Sequence, residues 1–260
     1  MPFPRAKANL YEAGTRVPLV ISWPNKIPGN RVVDDLVSFI DIAPTILEAV
    51  GLEIHPDITG ISLYDLLISE KEGLVGRERD YVLLGKERHN YARPDNVGYP
   101  IRAIRTNDYL YIQNLKPDRW PLGDPPWYWC HTKLINPVKE FILENKTNTQ
   151  GAYYYDITYA KKPAVELYDI RTDTACTQNL ATDSNYESIR KDLKEKLTHQ
   201  LIQQGDPRMF GYGDIIDPKF RRQVGLVSLP GVSGVAVFTT AACLQRRKGS
   251  KTSCPIRVEG

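Results

Sequence analysis

The stretch that most constrains this chain is residues 7–24, KANLYEAGTRVPLVISWP, where a lysine and an arginine flank a tight glycine turn just before an apolar run. Glu12, Ala13 and Gly14 predict a turn whose glycine takes a positive φ, which β-branched residues avoid. Pro18 then opens a predicted buried strand through Leu19, Val20, Ile21 and Trp23. That layout aims Lys7 at one end of a sheet, with a solvated loop lysine as the alternative.

The 260 residues are 42% hydrophobic and 25% charged, enough for one sizeable core or a core plus a small subdomain. The net charge of +3 comes from the basic run after Arg221, and the body is mildly acidic. A protein that grips a polyanion by charge alone needs a basic body, so nucleic-acid binding is excluded and an anionic substrate must be met by a local cluster. Cys130, Cys176, Cys243 and Cys254 fit no C-x-x-C pattern, which argues against a zinc site or a disulfide framework. No basic n-region and apolar h-region follow Met1.

Along the chain, residues 41–51 predict a helix with Asp41 at its N-cap, Pro44 in its first turn, an apolar face of Ile42, Ile46, Leu47 and Val50, and Gly51 to end it. A second short helix is predicted over 63–68, entered from Gly60 and Ser62. Residues 80–84 predict a strand, 101–106 and 109–114 a hairpin turned at Asn107-Asp108, and 166–169 a further strand. Ile189, Leu193, Leu197 and Leu201 recur every four residues, so 186–204 predicts an amphipathic helix lying on the hairpin. From 224 to 244 the chain is apolar, but Pro230 and its glycines argue against a membrane span, and 219–260 is predicted to be a disordered tail.

Two further stretches bear on chemistry. In 85–102, GKERHNYARPDNVGYPIR, the residues Lys86, Glu87, Arg88, His89, Arg93 and Asp95 crowd a loop between apolar strands, a substrate-pocket candidate whose alternative is a solvated charge run. Trp120, Trp127, Tyr128 and Trp129 sit in a proline-rich insertion, either stacking on sugar faces or pinning the loop to its own domain.

The Lys7 stretch resembles a segment of the sulfatase family, usually K-x-x-x-Y-E-G-G-x-R-V-P, with Ala13 in place of the first glycine. GKERHNYARPDNVGYPIRAIRTNDYLYIQNLKPDRWPLGDP, MPFPRAKANLYEAGT and GDPRMFGYGD together resemble the heparan N-sulfatase (N-sulfoglucosamine sulfohydrolase) branch over residues 1–218. The resemblance implies an α/β, alkaline-phosphatase-like fold, of which this chain holds the C-terminal part of the large domain (1–79), an α+β subdomain with a small antiparallel sheet and a long helix (80–218), and the atypical tail. It implies that Lys7 contacts the sulfate, that Glu87, Arg88, His89 and Arg93 bind the sugar, and that the ligand is a sulfated glycosaminoglycan sugar.

In this family a formylglycine made from C/S-x-P-x-R attacks sulfur beside a divalent cation, calcium in the full-length parent. Cys254-Pro-Ile-Arg257 has the wrong spacing and lies at the wrong end, and Asp34-Asp35 reads as a strand-edge pair. No metal ligand is therefore assigned here, and a sulfatase region before Met1 is the expected partner. Members are periplasmic, extracellular or lysosomal. Whether the chain is an enzyme stays open on this reading, with a non-catalytic binding module for sulfated carbohydrate and an inert remnant as the alternatives.

Overall fold

The computed structural model describes residues 5–76, 79–88, 93–125 and 137–213. In chain order its elements are α1 (Glu12–Thr15), α2 (Ile42–Ala49), α3 (Tyr64–Ile68), β1 (Tyr81–Lys86), β2 (Ile101–Thr106), β3 (Tyr109–Asn114), α4 (Pro137–Glu144), α5 (Ala152–Thr158), β4 (Val165–Asp169) and α6 (Glu187–Gln203). Short 3-10 turns occur at Phe39–Asp41 and Pro207–Phe210, among others.

The strands form one sheet in the order β1-β2-β3-β4, every neighbour antiparallel. The β2–β3 hairpin turns at Asn107-Asp108, and the Tyr109 amide donates to Thr106 Oγ1 at 3.1 Å. Because successive strand residues face opposite ways, Ile104, Tyr111 and Leu167 go to one face and Ala103, Leu110, Ile112 and Tyr168 to the other. The first face is covered by α6 through Leu193, Leu197 and Leu201. Leu10 and Tyr11 cover the second, with Tyr99, Ile170 and Cys176. Buried side chains of this kind each contribute about 1.5–3 kcal/mol.

The described residues thus contain the expected small antiparallel sheet and long helix. Residues 5–12 pack into the core around that sheet although they precede it by some seventy positions. The helices α4 and α5, which the sequence reading passed over, pair beside the sheet around Ile142 and Tyr159.

The segment 16–76 departs from expectation. Residues 19–23 form no strand, and Val20 is 89% exposed. Strand pairing needs a neighbour, and among the described residues nothing pairs with it. The apolar face of α2 is likewise uncovered, with Ile46 and Val50 exposed, while Pro44 and Thr45 form its buried side. Gly51 ends α2 as expected, at φ 74. Asp41, however, does not cap α2. Its carboxylate turns back to the Ser38 amide at 3.0 Å, takes the Ile61 amide at 2.9 Å, and is held by Arg79 at 2.8 and 3.2 Å.

Other polar pins hold the rest of this segment. Asp35 accepts from the amides of Val75 and Gly76 at 2.7 and 2.9 Å, beside the isolated parallel bridge Val33–Gly73. Arg31 donates to the carbonyls of Leu66, Leu67 and Lys71, at and just beyond the C-terminal end of α3. Among the described residues no helix is long and apolar enough to cross a membrane; 219–260 lies outside them.

Candidate functional site

The site is built from the second face of the sheet outward. Lys86 closes β1 on that face, and its buried ammonium donates to the Ala8 carbonyl at 2.8 Å. The Lys7–Asn9 turn is thereby held over the end of β1. Ala8 sits at φ 67 and Arg5 at φ 73, left-handed conformations that cost non-glycine residues on the order of 1–2 kcal/mol each. Contacts on both sides of the turn hold that strain.

On the N-terminal side, the Arg5 guanidinium donates to the Ile157 carbonyl at 3.0 Å, to the Tyr168 hydroxyl at 3.2 Å and to the Cys176 carbonyl, and stacks over the Tyr11 ring at 4.3 Å. On the C-terminal side, the Tyr11 hydroxyl donates to Glu166 at 2.9 Å, and buried Glu12 makes a two-pronged pair with Arg105 at 2.8 and 3.2 Å. Glu12–Gly14 is therefore the start of α1 and not a positive-φ turn. Gly14 is required for a different reason: a Cβ there would meet the carbonyl oxygens of Ala6 and Asn9 at 2.4 and 2.5 Å.

Below the turn lies a small cavity of mixed lining, with Asn9, Tyr11, Tyr99, Asn114, Lys162 and Glu166 set beside Leu10, Ile101, Ile112 and Pro121. Glu166 is buried and satisfied by Tyr11, by Tyr168 at 2.6 Å and by Asn114 at 2.7 Å. Burial, then the Glu166 charge, pushes the pKa of Tyr11 and of Tyr168 upward, so both remain donors. The Tyr99 hydroxyl is buried without a partner among the described residues.

Lys86 and Arg93 both lie against the Tyr99 ring, at 5.8 and 5.4 Å. Burial, and secondarily Arg93, pulls Lys86 down to about 7. Lys162 falls to about 8, from burial and then Arg5, while Glu166 and Asp156 act the other way. Burial pushes the Cys176 thiol up to about 12, which leaves it inert.

The residues expected to bind substrate separate into groups. Lys7 is exposed at the crest of its turn, and its ammonium has no ion pair among the described residues. Arg93 is half-buried, with its guanidinium on the Trp120 and Pro121 carbonyls at 2.7 and 2.6 Å. Trp120 thus belongs to a loop tied to its own domain, while 126–136 and His89 lie outside the described residues.

Glu87 points away from Lys7. It continues the alternation of β1, so it emerges on the α6 face and is held there by Arg102 at 2.6 Å and Arg208 at 2.5 Å. Arg88, half-buried, follows it. Sequence reasoning missed Arg5, Lys162 and Glu166; the apolar-polar alternation of β4, which puts Glu166 opposite Ile112 on the inner face, was the available signal.

Among the described residues no three His, Cys, Asp or Glu side chains gather that could hold a metal ion. Asp41 and Asp35 are spent on Arg79 and on main-chain amides. Counted from Ser253 and not from Cys254, the run Ser253-Cys254-Pro255-Ile256-Arg257 does satisfy S-x-P-x-R, contrary to expectation, in residues outside those described.

Residues 6–125 match the family model described as N-sulphoglucosamine sulphohydrolase, C-terminal. The chain is 27% identical over 217 residues to an ulvan-active sulfatase of Formosa agariphila, covering 83% of this chain and 34% of that protein. It is 25% identical over 230 residues to human N-sulphoglucosamine sulphohydrolase, covering 86% of this chain and 44% of that one. A solved 2-O GAG sulfatase superposes with a TM-score of 0.40 at 20% identity, over 65% of this chain and 25% of that one.

The sequence matches place the chain among the sulfatases. Within them, the match over residues 6–125 is to the N-sulphoglucosamine sulphohydrolase C-terminal model. The chain spans between a third and a half of the length of the two curated relatives named here.

Proposed function

We propose that this chain is the C-terminal portion of a sulfatase that hydrolyses sulfamate or sulfate esters of glycosaminoglycan sugars. In this reading 1–79 belongs to the large domain that carries the nucleophile and calcium, 80–218 is the subdomain that holds the sugar, and 219–260 is a tail apart from both. Lys7 meets the sulfate, while Arg88, His89 and Arg93 serve the sugar from a loop whose base Glu87 fixes. The supporting observation is the Lys86–Ala8 hydrogen bond, which brings the Lys7 turn to the strand end from which that loop departs. An exposed ammonium beside a charged loop suits an anion on a hydroxylated ring.

On this reading the isolated chain binds D-glucosamine N-sulfate without hydrolysing it. Titration followed by amide NMR should show shifts around 6–9 and 86–99, and Lys7→Ala should weaken binding by roughly tenfold, the scale of one charge-assisted hydrogen bond. Sulfate release by the purified chain, lost in Lys7→Ala or Ser253→Ala, would overturn the inactivity. Saturable binding of sulfated sugar by a chain whose parent carries no sulfatase nucleophile would favour the binding-module alternative.

A further inference from the structure

We infer that Lys86, at the end of β1, is a positioning residue for Lys7, acting through the carbonyl of Ala8. The inference rests on the reading of Lys7 as the sulfate contact. It starts from where the carbonyls of the Lys7 turn are directed. That of Ala6 accepts from the Asn9 amide at 3.2 Å, and both it and the Asn9 carbonyl lie against Gly14, where a Cβ would come within 2.4 and 2.5 Å of them. The Lys7 carbonyl accepts from Asn9 Nδ2 at 3.3 Å, and the Ala8 carbonyl from the Lys86 ammonium at 2.8 Å. The carbonyls of the turn are thus spent on the protein, and the Lys7 side chain is left at the exposed crest.

The bonds that involve Asn9 lie inside the turn and move with it. Its two ends are fixed from outside. Arg5 is held by the Ile157 carbonyl and the Tyr168 hydroxyl, and Leu10 and Tyr11 are buried in the core. Residues 6–9 bridge these ends with Ala8 at φ 67. A left-handed alanine lies above the ordinary negative-φ region in energy and persists only where its surroundings hold it. Turning Ala8 back would swing its carbonyl off Lys86 and re-aim Lys7. The Lys86 bond opposes that relaxation at the residue where it would occur.

The anchor is itself firm. Lys86 pairs with Ile101 in the sheet, and its ammonium lies 5.8 Å from the Tyr99 ring. The carbonyl of the next residue, Glu87, accepts from the Tyr99 amide at 2.8 Å, so the segment 88–98 leaves from and returns to one residue. Charged or neutral, the Lys86 amine keeps N–H groups to donate, so the tie to Ala8 does not turn on its protonation.

The test uses the full chain with Lys86→Met, Lys86→Arg and Lys7→Ala, and with Lys86→Met and Lys7→Ala combined. Affinity for D-glucosamine N-sulfate is measured alongside hydrogen exchange at the Asn9 amide, whose acceptor lies inside the turn. Lys86→Met is expected to weaken binding by roughly tenfold, the scale of Lys7→Ala, and to speed Asn9 exchange by about tenfold with β2 and β3 unchanged. Lys86→Arg, which keeps a donor, should recover part of both. In the combined variant the Lys86 change should cost nothing further, because a residue that works through Lys7 has no effect once Lys7 is gone.

A Lys86→Met loss that persists in full beside Lys7→Ala would mean that Lys86 meets the ligand itself or steadies the whole fold, and would overturn the proposal. So would unchanged Asn9 exchange in a chain that binds the sugar. A wild-type chain that does not bind it overturns instead the sulfate reading of Lys7, and this role with it. Should Lys86→Met fail to fold, Ala8→Pro makes the same break from the side of the turn, since proline cannot take a positive φ. It should match the loss of affinity, and binding left intact by it would overturn the proposal.

Discussion

Between residues 81 and 203 the strands bury apolar side chains on both faces, whereas between 17 and 74 Val20, Val32, Phe39, Val50, Leu52 and Leu74 face water and the chain is held by Asp41, Asp35 and Arg31. Burial is non-directional and spread over many contacts, so the sheet region can lose one side chain and remain folded. A polar pin works only with both partners present. Taking one away strands the other in a place chosen for a pair. The first region is therefore robust; the second is held by a few bonds and leaves an apolar side exposed.

Breaking a pin should give the largest effect. Asp41→Ala leaves the nearly buried Arg79 without its carboxylate, a loss of about 3–5 kcal/mol felt locally. Limited proteolysis should cut within 38–79 while the sheet amides stay protected; uniform loss of protection would mean that the two regions are one cooperative unit. Next comes Leu197→Ala, beneath Ile104, Tyr111 and Leu167, with about 2–5 kcal/mol lost in urea unfolding and no new cleavage at 38–79.

The pH dependence of the sheet region is smaller and has a definite sign. Lys86 at about 7 and Lys162 at about 8 release their protons in the folded chain while the unfolded chain keeps them, its lysines titrating near 10.4. Stability should therefore rise from about pH 7 until tyrosines begin to ionise near pH 10. Lys86→Met should flatten that rise and be the more stable form at pH 6. A melting temperature that falls over this range would remove the buried-lysine explanation.

The smallest effect should come from Val20→Ser, within about 0.5 kcal/mol by urea. Its sharper readout is reduced binding of an apolar dye. Unchanged fluorescence would show that the dye reports some other surface.

How far the sequence alone could reach follows the same division. Where a period was complete, it was readable: the every-fourth-residue leucines of α6 and the alternating β2–β3 hairpin lie where expected. The apolar run 19–23 met the same composition rule and failed it, because a strand is a relation between two segments and only one was present to be read. The site divided likewise. Lys7 belonged to a local pattern, but Arg5, Glu166 and Arg208 act on residues more than a hundred positions away, which no spacing encodes. Glu87 was named for its charge. Its direction depended on the parity of β1, and one residue earlier or later would have put it beside Lys7.

The closure of 88–98 onto a single residue also bears on how such a protein can change over evolutionary time. Since the ends of the segment are tied by the Glu87–Tyr99 main-chain hydrogen bond and not by its own contents, its length and composition can drift with only a slow entropic cost as residues are added. The frame behaves as a socket, and the segment as an exchangeable insert. On the proposed sugar-binding reading, a new preference would be grafted there, by descent or by design, without redrawing the sheet that carries it.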